Sequence, residues 1–357
     1  MTLIIAEAGV NHNGDEALAF ALVDAAHKAG ADIVKFQTFK ANKLVTKSAP
    51  QAVYQIENSQ KIETQFSMLS RLELSFEVHH KLVEYCNKLG IEFLSTAFDQ
   101  DSLSFLIDEL RLTRLKIPSG ELTNSPLVLA HAQSGCDLIL STGMATLAEI
   151  EVALGVIAFG YTVSENTAPS IEAFQSAYYS KKGQLALRSK VTILHCTTEY
   201  PAPMQDINLK AIDTLRKAFN LPAGYSDHSQ GITIPIAAVT LGACIIEKHF
   251  TLDNKMQGPD HKASLEPNEL RLMVTAIRDI ELALGDGVKG PRPSEIKNKL
   301  VARKSLVAAK NILVGEILTS KNIEIKRPGN GMDPTQYWKV LGKVSSKKYE
   351  EGDLIVE

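Results

Sequence analysis

LIIAEAG (3–9) is a short apolar run that breaks off in polar chemistry, and the same figure recurs seven more times before residue 251. The others are DIVKFQTF (32–39), IEFLSTAF (91–98), RLKIPSGE (114–121), DLILSTGM (137–144), VTILHCTTEYP (191–201), AGYSDHS (223–229) and ACIIEKHF (243–250). Each has the length of a strand buried on both faces. Stretches with helical spacing separate them, as in DEALAFALVDAAHKAG (15–30) and SFEVHHKLVEYCNKLG (75–90), both closed by glycine. The Thr146-x-x-Glu149 spacing predicts a capped helix over 146–159. Further helices are expected at 100–110, 125–135, 206–220, 230–242 and 266–284. Eight strand–helix alternations imply parallel strands joined by right-handed crossovers, an α/β fold of the (β/α)8 barrel type. Barrels of this kind carry their chemistry at the C-terminal strand ends, where the polar residues of these runs fall.

Two polar excursions interrupt the repeat, at 40–70 and 161–190, and their length suits lids or partner-binding loops. GDGVKGPRPSEIKNK (285–299) is rich in Gly, Pro and Lys and reads as a linker. The expected boundaries are a barrel over 1–285, a linker over 286–299 and a small β-rich domain over 300–357. In that last part ILVGEILT (312–319) and YEEGDLIV (349–356) repeat one pattern around Gly-acid, and KRPGNG (326–331) demands irregular backbone. So small a module is marginal alone and is expected to dock on its own barrel or on a neighbouring subunit.

The composition is that of an ordinary globular protein, 45% hydrophobic and 22% charged. A net charge of −3 gives no case for nucleic acid. Residues 301–357 carry +3 and the remainder −6, read either as scattered surface charge or as a basic cover over an anionic ligand. No run is long enough to span a bilayer, and MTLIIAEAGVNHNG lacks the basic start of a secretory signal. Four dispersed cysteines without a CxxC pair suit free thiols in a reducing cytoplasm.

His228 and His249 end consecutive strands, which lie about 4.8 Å apart in a sheet, so the two imidazoles are expected to share a divalent metal. His12 follows the first strand and could face the same mouth, whereas His27, His79 and His80 are expected on solvated helix faces. Lys35 and Lys116 lie inside strands, a costly place for an unpaired ammonium. Pairing to Glu7 or Glu121 would relieve that cost, and so would an anionic ligand. Ser119, Ser141 and Ser226 add hydroxyl donors at neighbouring strand ends, which suits a small molecule carrying phosphate and carboxylate. Glu7, Glu121 and Asp260 are candidate acid–base groups, with Gln37 and Tyr200 as candidates for the same cavity.

AEAGVNHNG, VKFQTF, KIPSGE, STGMATLAE, HCTTEYPAP, GYSDHS, IEKHFTLD, GPDHKASLEP and KRPGNG together make a chain that resembles the bacterial sialic acid synthase family along its whole length. That resemblance implies a TIM barrel followed by an antifreeze-like (SAF, β-clip) domain, swapped over the active site of the partner in a homodimer. It implies condensation of phosphoenolpyruvate with an N-acylated amino sugar, with C–O cleavage of the phosphoenolpyruvate. It further implies Mn²⁺ or Mg²⁺ on His228 and His249. Phosphoenolpyruvate would lie on Lys35, Lys116, Ser119, Ser141 and Ser226. The sugar-binding and catalytic positions would be Glu7, Gln37, Tyr200 and Asp260, with Arg327 of the SAF domain directed at the N-acyl group. N-acetylmannosamine, giving N-acetylneuraminate, is the first expectation. The 2,4-diacetamido-2,4,6-trideoxymannose that gives N,N′-diacetyllegionaminate is the alternative. A metal-dependent barrel aldolase or a carbohydrate-binding protein is more distant, since a passive binder has no use for two lysines and two histidines at one mouth.

Overall fold

The computed structural model describes residues 1–163 and 167–357, and clusters into two compact units, Met1–Gly285 and Asp286–Glu357. In the first unit eight parallel strands close a barrel in sequence order: β1 (Leu3–Gly9), β2 (Ile33–Thr38), β3 (Glu92–Ala97), β4 (Arg114–Ile117), β5 (Asp137–Ser141), β6 (Val191–Cys196), β7 (Ala223–Asp227) and β8 (Ile245–His249). β8 returns to β1 with Leu3 opposite Ile245. The expected (β/α)8 barrel is therefore the observed one.

Because side chains alternate across a strand, each strand sends every second residue inward. Ile5, Ile33, Leu94, Ile139, Leu194 and Ile245 form a buried apolar cluster inside the barrel. Burying each such side chain contributes about 1.5–3 kcal/mol. At the inward β7 position stands Gly224, where a Cβ would lie 2.6 Å from Leu194 Cδ2, so the missing side chain lets this floor close. Outward residues such as Ile4, Phe36, Ile117, Leu140 and Ile246 join the larger core under the helices.

The helices form where spacing and caps direct them. Glu16–Ala29 starts on the Asp15 side chain, Phe76–Leu89 on Ser75, and Leu147–Thr162 on the Thr146/Glu149 capping box. Ser125–Gln133, Ala211–Phe219, Thr233–Thr240 and Pro267–Leu284 fill the other expected places. The 100–110 stretch is not one helix: an α-turn at Gln100–Ser104 widens into a π-turn at Phe105–Glu109. The 40–70 excursion is more ordered than its polarity suggests, with helices Ala41–Leu44, Val53–Ser59 and Gln65–Leu72. In the 161–190 excursion, residues 164–166 lie outside the described residues. Beyond them Ile171–Tyr179 and Lys181–Lys190 are helical, and Phe174 meets Phe159 edge-on, which adds two helices to the barrel's outer layer.

The expectation of a solvated helix face fails for His79. His79 is fully buried, bonded to the Thr38 hydroxyl and the Ser75 carbonyl, because its position on Phe76–Leu89 faces β2 and β3 rather than water. His27 and His80 are exposed as expected.

In the second unit, the stretch expected to be a linker is grouped with the C-terminal domain and carries the helix Pro293–Ala302. β9 (Ser305–Ala308) pairs antiparallel with β10 (Ile323–Lys326) over a core that includes Leu306, Ile312, Leu318, Tyr349 and Ile355. The repeated pattern has a structural meaning, since Ile312 and Tyr349, the first residues of its two copies, bridge each other. Gly315 (φ +86°) and Gly352 (φ +89°) occupy equivalent left-handed turns that a side chain would strain. All four cysteines are free. Among the described residues no helix is long and apolar enough to cross a membrane.

Several buried imidazoles make the fold acid-sensitive. His131, on Ser125–Gln133, donates from Nδ1 to the Leu127 carbonyl and leaves Nε2 without a partner, and burial lowers its pKa to about 4. Burial likewise takes His12 and His261 to about 4. Each stays neutral while the unfolded chain gains a proton below pH 6.5, so stability is lost as pH falls from 6.5 towards 4. A His131→Leu variant is expected to gain on the parent across that window, by on the order of 3 kcal/mol at its end. Denaturant unfolding at a series of pH values measures the gain, and parallel curves for the two proteins would contradict it.

Candidate active site

The apolar floor dictates what stands above it. Two residues after each floor residue comes a polar or polarisable one: Ile5 gives Glu7, Ile33 Lys35, Leu94 Thr96, Ile139 Ser141, Leu194 Cys196 and Ile245 Glu247. β4 adds Lys116 opposite Thr96, and β7 adds Ser226 opposite Glu247. One further inward step gives Gln37 on β2 and His249 on β8. Glu7, Lys35, Lys116, Ser119, Ser141, Tyr200, Ser226, Glu247, His228 and His249 all line one cavity of about 180 Å³ at the C-terminal mouth.

Charge matching organises this cavity. Lys35 Nζ lies 2.5 Å from Glu7 Oε2 and 3.6 Å from Glu247 Oε2, and donates to Thr96 Oγ1 at 3.1 Å. Lys116 Nζ lies 3.2 Å from Glu247 Oε1, which also accepts from Ser226 Oγ at 2.7 Å. These four charged side chains are at most 5% exposed. Burial works to raise both carboxyl pKa values, and the partners separate them. Glu247, held by two ammoniums and a hydroxyl, falls below the usual carboxylate range. Glu7 has only Lys35 close by and feels the Glu247 charge, so its pKa rises to about 7. Near neutral pH the cluster therefore approaches two ammoniums against one carboxylate, a local excess of positive charge.

His228 Nδ1 lies 2.6 Å from the Thr197 carbonyl, so Nδ1 carries the proton and Nε2 presents its lone pair. Its ring sits 5.5 Å from that of His249, whose Nδ1 is buried without a hydrogen-bond partner. Burial lowers His228 to about 4 and takes His249 well below the usual imidazole range. Two neutral imidazoles with free lone pairs suit a divalent metal. Among the described residues no group of three or more His, Cys, Asp or Glu gathers for a metal, so any further ligands would come from water or substrate.

The remaining expected residues divide. Gln37 Nε2 is 3.5 Å from Glu7 Oε1, and Asp260 Oδ2 is 4.0 Å from His249 Nδ1, its pKa raised by burial to about 6. The Tyr200 ring lies 4.1 Å from that of His228, tilted by 31°, and stacks 5.1 Å from Tyr54 of the 40–70 excursion. Asn58 of the same excursion donates to the carbonyls of Tyr200 and Pro259, which holds these loops beside the mouth. Glu121 does not line the cavity. It accepts from Asn124 Nδ2, because the turn Ser119–Glu121 rotates it away after Ser119 has pointed inward. His12 is also absent from the wall: it accepts from the Gly14 amide and packs 6.2 Å from Phe36, beneath the first turn. Arg327 belongs to the second unit, where it is exposed and donates to the Ala302 carbonyl.

Sequence reasoning missed Glu247, the anion that both lysines share. The signal was available in the period of two, since Glu247 stands midway between inward Ile245 and inward His249. Thr96, Cys196 and Thr198 also line the cavity unforeseen. Ser141 Oγ and Thr198 Oγ1 are buried there without a protein partner, while Ser119 Oγ accepts from the Gly143 amide.

A family model described as the NeuB family matches residues 22–289, and one described as the SAF domain matches residues 303–357. The chain is 49% identical over 356 residues to the N,N′-diacetyllegionaminic acid synthase of Campylobacter jejuni, covering 100% of this chain and 99% of that protein. It is 44% identical over 353 residues to the enzyme of the same name from Legionella pneumophila, covering 99% and 93%. The crystal structure of N-acetylneuraminic acid synthetase from Leptospira borgpetersenii, in complex with citrate, matches with a TM-score of 0.66 at 35% identity, covering 83% of this chain and 90% of that one.

The shared ammonium makes the two carboxyls interdependent. In a Glu247→Gln variant Lys35 turns wholly to Glu7 and the neighbouring negative charge is gone. The Glu7 midpoint, about 7 in the parent, is then expected to move down towards the ordinary carboxylate range. Its side-chain carboxyl ¹³C shift, titrated in metal-free protein, reports the midpoint directly. An unmoved midpoint would show that the two groups are not coupled.

Proposed function

The chain belongs to the NeuB family, and from that premise we propose that it condenses phosphoenolpyruvate with 2,4-diacetamido-2,4,6-trideoxymannose, giving N,N′-diacetyllegionaminate and phosphate. It is an enzyme of the nonulosonate-synthase type. The observation that carries the reaction is the buried cluster of two lysines over one firmly ionised carboxylate, whose excess charge suits a phosphate and carboxylate donor. The order of substrates is reversed from the first expectation. Near-full-length identity to two diacetyllegionaminic acid synthases supports the diacetamido sugar over N-acetylmannosamine.

In this reading Lys35 and Lys116 hold the donor's anionic groups, with Ser119, Ser141 and Ser226 supplying hydroxyls. The donor's C3 forms a bond to the sugar's aldehyde carbon, and the carbonyl oxygen takes up a proton. Water adds at the cationic C2 and loses a proton. The resulting tetrahedral carbon gives up its hydroxyl proton as it expels phosphate with the C–O electron pair, the departing phosphate takes up that proton, and C2 becomes the product ketone. Glu7, with its pKa near neutrality and inside the cavity, is the group suited to exchange those protons. Glu121, facing Asn124, has no part in this. Gln37 beside Glu7, and Tyr200 and Asp260 beside the histidines, would orient the sugar.

His228 and His249 would hold the divalent ion, and imidazole ligands favour Mn²⁺ over Mg²⁺, which prefers oxygen. When bound, the metal supplies a Lewis acid for the aldehyde oxygen. The homodimer, the contribution of Arg327 to the N-acyl group and a cytoplasmic site of action stand in this proposal on the family resemblance.

Phosphate release from phosphoenolpyruvate with Mn²⁺ is expected to be fastest with the diacetamido trideoxy sugar. Its kcat/KM should exceed that of N-acetylmannosamine by about tenfold or more, the scale set by a few pocket contacts. A preference for N-acetylmannosamine would favour the neuraminate reading, and no phosphate with either sugar would overturn the synthase reading. A His228→Ala protein is expected to lose metal-dependent turnover, and full activity in that variant after metal stripping would remove the role given to His228.

A further inference from the structure

On the outer face of the barrel, directly behind the two histidines, lies a charged pair that the reaction does not use. Asp227 and Lys248 are opposite one another in the β7–β8 register and both are 0% exposed, with Lys248 Nζ 2.6 Å from Asp227 Oδ2. Their inward neighbours Ser226 and Glu247 line the cavity, while Asp227 and Lys248 do not. Nearby outward positions hold Ile4, Ile193, Tyr225 and Ile246, so a buried ion pair is out of keeping with this part of the packing. Such a pair adds little stability over a well-packed apolar one, but it is directional.

Its bonds bracket His228 on both sides. The Lys248 ammonium donates to the Asp227 carboxylate and also to the Ser229 carbonyl. Asp227 in turn accepts from the Ser229 amide and from the Ser229 hydroxyl, each at 3.0 Å, and so closes the turn on which His228 stands. The residue next to His249 thus grips both residues flanking His228. A third tether, from His228 Nδ1 to the Thr197 carbonyl, fixes the ring itself.

We infer that Asp227 and Lys248 are positioning residues that set the spacing of His228 and His249 for a divalent cation. This rests on the metal reading given under Proposed function. The clamp acts through backbone: it fixes where the two strand ends lie relative to each other, and so the separation of the two imidazole rings, 5.5 Å between centroids. Groups that orient metal ligands from behind commonly account for about 10–100-fold in metal affinity.

The test uses full-length, metal-stripped protein titrated with Mn²⁺, the free ion being followed by its electron paramagnetic resonance signal. Two variants are compared with the parent: Asp227→Asn, which keeps shape but loses the charge, and Asp227→Asn/Lys248→Met, which removes both charges at similar volume. Circular dichroism and thermal unfolding establish that each is folded. Mn²⁺ affinity is expected to fall about tenfold or more in both, while phosphoenolpyruvate binding to the metal-free proteins, which depends on Lys35 and Lys116, stays within twofold of the parent. Unchanged Mn²⁺ affinity in folded variants overturns the positioning role. An equal loss of both ligands, or failure of both variants to fold, shows a structural role only and overturns it as well. A parent protein that binds no Mn²⁺ brings down the metal reading itself, a separate outcome seen before any variant is made.

Discussion

Water-free lysines impose the condition that the rest of this barrel satisfies. An ammonium taken out of water costs several kcal/mol unless opposite charge and hydrogen bonds replace the lost hydration. Lys35 and Lys116 are both sealed inside the strand ring, and Glu7, Glu247, Thr96 and Ser226 are placed to answer them. The match is incomplete because Glu247 is shared and Glu7 is readily neutralised. What remains near neutral pH is an excess of positive charge at the base of a polar cavity, maintained by strands too well packed to relax around it.

The histidine level above is governed by the same burial with the opposite sign. Removing water keeps the imidazoles neutral, and the Thr197 carbonyl selects which nitrogen of His228 stays open. One desolvated mouth thus offers a cationic patch for an anion and, next to it, neutral donors for a cation. The strands deliver both because Lys35 and Gln37, or Glu247 and His249, are successive inward positions on one strand.

Much of this was legible in the chain because it depends on period two and on where apolar runs stop. The eight runs, the capping box at Thr146 and the pairing of His228 with His249 are local patterns with direct structural meaning. Glu121 misled because its signal was a place at the end of the fourth strand, whereas a 3-10 turn there swings successive residues to different sides. His79 misled in another way: a polar residue on an amphipathic helix is usually solvated, and only the Thr38 hydroxyl opposite makes its burial tolerable. Tyr54 and Asn58 could not be foreseen at the mouth, since nothing local says where a long excursion folds back. For Glu247 the alternation was in plain view, and its flanking histidine drew the eye instead.

The apolar floor has a kinetic corollary. Ile5, Ile33, Leu94, Ile139, Leu194 and Ile245 plug the barrel beneath the lysines, so among the described residues the floor of the cavity is closed by packed side chains. In the proposed reaction the molecule that settles at the ammonium depth would then enter before the one that settles at the histidine depth. Departure would run in reverse, as in a last-in, first-out stack.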